Sequence, residues 1–170
     1  MDTENYLQIM IDSLVQKEEL LKQIVDYNEK QQAIITAAEF DEDAFEQNLN
    51  DKGELVEKIL KLDEGFNSVF NRIKDDVQSN KARFKQPLSR LKELITTVTD
   101  LGVQIQAQEL RNKQLVEKRF AQMRKELSNA KRATSKANAY YKNTNRLNNY
   151  ESHFLDQKKI KKVYIRAKVF

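Results

Sequence analysis

Cysteine and tryptophan are absent from this 170-residue chain, and it holds only one proline, three glycines and one histidine. Without cysteine there is no disulfide and no thiolate site. The single histidine, His153, argues against a histidine-rich metal site or a Ser/His/Asp triad within one chain. The sequence has no Gly-rich phosphate loop, no GxSxG, no HExxH and no paired-cysteine spacing. His153 lies in a polar stretch, NNYESHFLDQKK at 148–159, without preorganised neighbours, and acid–base chemistry needs geometry first. Neither catalysis nor a metal or cofactor is therefore expected. No apolar run approaches the ~20 residues of a membrane span. The acidic start, MDTENYLQ, is unlike a signal peptide, so a cytoplasmic location is expected.

What the chain does contain favours long helices. A third of its residues are charged and the mean hydropathy is −0.76. Helix-breaking residues are few, while Leu, Lys, Glu, Gln and Ala are plentiful. The net charge of +4 hides an asymmetry: residues 1–110 hold 13 Lys+Arg against 22 Asp+Glu, and residues 111–170 hold 17 against 4. A basic end on an acidic body fits a nucleic-acid or membrane arm, a tail folding back on the body, or a surface for an acidic partner. Charge alone does not choose among them.

Apolar residues recur at steps of three and four over 4–36: Leu7, Met10/Ile11, Leu14, Leu21, Ile24/Val25 and Ile34/Ile35. Asn28 and Gln32 fall on that stripe and predict a polar, register-setting layer. The stretch TAAEFDED at 36–43 breaks the pattern. Asp41 is placed as an N-cap, with Phe40 and Phe45 positioned as a hydrophobic staple. A second helix is expected over 42–83, carried through Gly53 and Gly65 by the stripe Phe45, Leu49, Lys52, Val56, Ile59, Phe66, Phe70, Ile73 and Val77.

Pro87 is expected to open a third helix at its first position. This helix is read to about residue 137. Its stripe runs through Leu91, Val98, Ile105, Gln108, Asn112 and Leu115, then shifts phase to Val116, Phe120, Met123 and Leu127. A helix of about 50 residues spans about 75 Å, too long for a globule. The expected fold is thus all-α: an elongated antiparallel three-helix bundle or coiled coil over 1–137, followed by a flexible basic tail over 138–170. Helix three is expected to outrun its partners from about residue 128, leaving an apolar strip that invites an outside helix. The end, KKIKKVYIRAKVF, carries six cations and no acid over 158–170 and alternates with a period of two near its terminus.

Three segments in order carry a resemblance: AAEFDEDAFEQ at 37–47, KGELVEKILKLDEGF at 52–66 and LRNKQLVE at 110–117. With the terminal SHFLDQKK at 152–159, this chain resembles the FlgN-type flagellar export chaperones over about residues 5–159. Residues 160–170 lie outside the family pattern. The resemblance implies an elongated α-helical cytoplasmic chaperone without catalytic activity. Such a protein binds the C-terminal amphipathic segments of hook-associated (hook–filament junction) proteins, prevents their premature assembly and delivers them to the flagellar type III export apparatus. The physics agrees, because an incomplete bundle offers an apolar groove that an amphipathic segment completes.

Both lines place the cargo groove at Leu115, Val116, Phe120, Met123 and Leu127, with Tyr140 and Tyr141. The competing reading packs the first five against helices one and two. Phe154 and Leu155 are expected to dock on a groove or an export component. A monomer or small homo-oligomer is expected. The alternative class is a structural coiled-coil protein with a basic membrane- or nucleic-acid-binding tail at 158–170.

Overall fold

The computed structural model describes residues 2–133. Three α-helices follow one another: α1 (Thr3–Thr36), α2 (Glu42–Ser79) and α3 (Lys85–Ala133), of 34, 38 and 49 residues. No strand occurs among the described residues. At 1.5 Å per residue α3 is about 74 Å long, so the bundle is a rod, as its unbroken apolar periodicity requires. The expected tail, including His153, lies outside the described residues.

Local chemistry sets the ends. Asp2 caps α1 by accepting a hydrogen bond from Asn5 N, and Asp41 caps α2 by accepting from Ala44 N at 3.0 Å. The Phe40 and Phe45 rings meet at 5.4 Å between centroids, forming the expected staple across that cap. Gly53 and Gly65 interrupt nothing, and α2 runs through both. It ends at Ser79 rather than at 83, where the Asn80 amide donates to the carbonyls of Asp76 and Val77 and closes the last turn. Helix α3 starts at Lys85, two residues ahead of Pro87. Proline costs nothing there, because amides of a first turn have no intrahelical acceptor to lose.

The buried residues of α1 are Leu7, Met10, Leu14, Lys17, Leu21, Ile24, Asn28, Gln31 and Ile35. Their steps alternate strictly between three and four, the seven-residue repeat of a coiled-coil seam. Phe45, Leu49, Lys52, Val56, Ile59, Asp63 and Phe66 repeat it in α2. Contacts between α1 and α2 close up along the chain, from 73 residues apart at Thr3–Asp76 to 24 at Asn28–Lys52, so these helices are antiparallel. Contacts between α1 and α3 keep a near-constant separation of 80 to 84 residues, so these helices are parallel. The bundle runs up, down, up, and α1 packs closely on both neighbours.

Two hydrophobic clusters form the interior. The larger extends from Leu7 and Phe84 to Ile24, Leu55 and Ile105. The smaller, at the end that holds the α1–α2 turn, consists of Ile35, Phe45, Leu49, Val116 and Phe120. A band of buried polar side chains lies between them.

Candidate partner-binding end of the bundle

The band is built by the interruptions in the three seams. Lys52 Nζ donates to Asn28 Oδ1 and to Glu109 Oε1, both at 2.7 Å, and to Gln31 Oε1 at 3.5 Å. Asn112 donates to the Asn28 carbonyl at 2.8 Å and to Gln31 Oε1 at 3.1 Å. Gln108 accepts from Asn28 and donates to the Val25 carbonyl. Asn28 therefore joins the layer as expected, but its α1 companion is Gln31, one residue before the expected Gln32. Gln31 falls on the three-four seam and Gln32 does not.

Burial is the largest influence on Lys52 and pushes its ammonium below the usual lysine pKa of 10.5; the charge and hydrogen bond of Glu109 work in the other direction. Glu109 Oε2, Asn112 Oδ1 and Gln31 Nε2 are buried without a hydrogen-bond partner. A second buried pair, Lys17 Nζ to Asp63 Oδ1 at 2.7 Å, crosses the main core. Such layers fix register, because a slip by one turn would bury a charge against apolar neighbours. Among the described residues no group of three His, Cys, Asp or Glu side chains is placed to hold a metal ion.

Beyond the band, the end of the bundle is closed by aromatic rings. Phe120 meets Phe40 at 5.7 Å and Phe45 at 6.1 Å, both edge-to-face. Arg119 reaches over the turn and donates to the carbonyls of Ile35, Ala37 and Ala38. It thereby satisfies acceptors that the end of α1 leaves open. The constant offset of α1 and α3 puts Arg119 level with that end. Residues 120–133 of α3 run on past it for about 20 Å. The overhang starts nearer 120 than the expected 128, because α2 stops early and α3 starts early.

The sequence-predicted groove residues divide at this point. Val116 and Phe120 are 0% and 1% exposed and belong to the distal core. They are closed to a partner while the helices stay packed. Buried positions on α3 step by four twice, from Asn112 to Val116 to Phe120, and this stutter turns the strip toward the aromatic turn. Leu115, Met123 and Leu127 are half-buried and pack on the same cluster from outside. Met123 and Leu127 lie on the overhang. Tyr140, Tyr141, Phe154 and Leu155 lie outside the described residues. Elsewhere, a shallow groove of about 540 Å³ between α1 and α2 is lined by Val15, Leu20, Leu62 and the stems of Lys58 and Lys61, and by none of the predicted residues.

The rod, its capped acidic turn and its long third helix coincide with a family match: residues 1–148 match the FlgN family, described as FlgN protein. The chain belongs to the FlgN family. Membership brings a general role as a flagellar export chaperone. The family match covers residues 1–148, and the SHFLDQKK segment at 152–159 lies beyond it. No curated protein and no solved structure matches the chain. No helix among the described residues is long and apolar enough to cross a membrane.

Proposed function

We propose that this FlgN-family protein is a cytoplasmic chaperone that holds the C-terminal amphipathic segments of hook-associated proteins on the overhanging end of α3. It keeps them from assembling early and passes them to the export apparatus. The observation that carries this reading is the half-buried strip of Met123 and Leu127, continuous with the distal aromatic core and extending past the end of α1. An amphipathic helix laid there packs on Met123, Leu127 and Leu115 and completes the bundle where α1 has stopped. A disordered segment that folds on binding loses ordering entropy, which keeps affinity moderate and release easy.

Titration of the full chain with C-terminal peptides of hook-associated proteins tests this. Met123→Asp with Leu127→Asp should abolish binding and leave helicity by circular dichroism intact. Unchanged binding in that variant refutes the site. The reading as a structural coiled coil predicts instead stable higher oligomers of the chain alone.

A further inference from the structure

One side of α3 faces away from α1 and α2. Its two large hydrophobic residues, Val103 and Leu110, are 57% and 60% exposed, the most exposed of their kind among the described residues. They lie seven residues apart, two turns along one face. Between them stands exposed Ala107, a small side chain that permits close approach of another helix. Gln104 and Gln106 are also exposed, so the surface from 103 to 107 carries no charge in a chain that is one-third charged.

The same face has an ordered charge pattern. At about 100° per residue, Glu93, Asp100, Arg111 and Lys118 fall within a narrow sector around Ala107, and all are exposed. Acids occupy the N-terminal half of that sector and cations its C-terminal half; on the flank that carries Val103 and Leu110 the order is reversed, with Lys92 before the apolar patch and Glu117 after it. A parallel copy of this face would set acid on acid and cation on cation. A copy turned end for end sets Glu93 opposite Lys118 and Asp100 opposite Arg111, and the two-fold axis then passes close to residues 105 and 106. Both pairings arise from a single register, and symmetry makes each of them twice.

We infer that the outward face of α3 is a self-recognition surface, on which a second copy of this chain packs antiparallel through Val103, Ala107 and Leu110. One helix face is a small interface, so the dimer is weak and concentration-dependent. Met123 lies on the opposite side of α3, so both distal ends stay open in the dimer.

Sedimentation velocity on the full chain over a wide concentration range tests this. The expected result is a monomer–dimer equilibrium that shifts toward monomer between low salt and about 0.5 M salt. Asp100→Lys and Arg111→Glu should each weaken the dimer by roughly tenfold, since each change turns two attractions into repulsions. Combined, they should return it close to the parent. The chain has no cysteine, so single cysteines report geometry cleanly. Ala107→Cys should oxidise to a covalent dimer. Glu93→Cys should not, because the two copies of residue 93 stand about 38 Å apart. Monomer at every concentration overturns the inference. So does a dimer indifferent to both charge reversals, or one in which Glu93→Cys cross-links as readily as Ala107→Cys.

Discussion

Replacing Lys52 with methionine removes the cation that Asn28, Gln31 and Glu109 share. The Lys52 and Glu109 side chains are 3% and 9% exposed, so little water is present to take the place of the ammonium. The substitution leaves a carboxylate buried with no counter-charge, and Glu109 Oε2 already lacks a hydrogen-bond partner. Breaking a buried pair in this way costs about 3–5 kcal/mol. Replacing Lys52 and Glu109 together with methionine removes the stranded charge and should restore stability to within about 1 kcal/mol of the parent, or exceed it. Urea unfolding followed at 222 nm on the parent, both single variants and the double variant gives the coupling energy directly. A cost below about 1 kcal/mol for Lys52→Met would refute the claim that this pair is desolvated. A double variant as unstable as the sum of the two singles would refute the claim that the charges are coupled.

The remaining expectations concern the capped turn, the distal core and pH. Phe120→Ala removes a fully buried ring and both of its aromatic contacts, and should cost about 3–5 kcal/mol in thermal or urea unfolding. Met123→Ala, half-buried, should cost visibly less, and equal losses would contradict the division between core and overhang. Asp41→Ala should cost about 1 kcal/mol through the lost α2 cap, measurable as a lowered urea midpoint with an unchanged slope. Because burial holds Lys52 below 10.5, the folded chain loses that proton first as pH rises. The unfolded chain binds more protons across that window, so the contribution of Lys52 to stability is lowest below its folded pKa and rises toward 10.5. The stability difference between the parent and the double methionine variant should therefore move in favour of the parent as pH rises through the folded-state pKa of Lys52 toward 10.5; a flat or opposite trend contradicts the shift.

The sequence by itself determined the helices and their seams. Scarce proline and glycine left little to stop a helix, and Asp41 with the Phe40–Phe45 pair marked the first of the two turns in chemical terms. The three-four spacing of Leu7 through Ile35 made each seam legible, and so did the polar residues Asn28, Lys52, Gln108 and Asn112 within them, because periodicity is a property of one chain segment. Only the tertiary structure decided what those residues meet. That Lys52 pairs with Glu109, and that Gln31 rather than Gln32 completes the layer, follows from how three seams are rotated against one another, which no single stripe encodes. The same applies to the site. Val116, Phe120, Met123 and Leu127 read as one continuous apolar strip. The axial offset of α1 and α3 then divides it, burying the first two under the aromatic turn and carrying the last two past the end of α1. That offset is fixed by two short turns and a buried polar layer acting together, a balance of long-range contacts rather than of local preference.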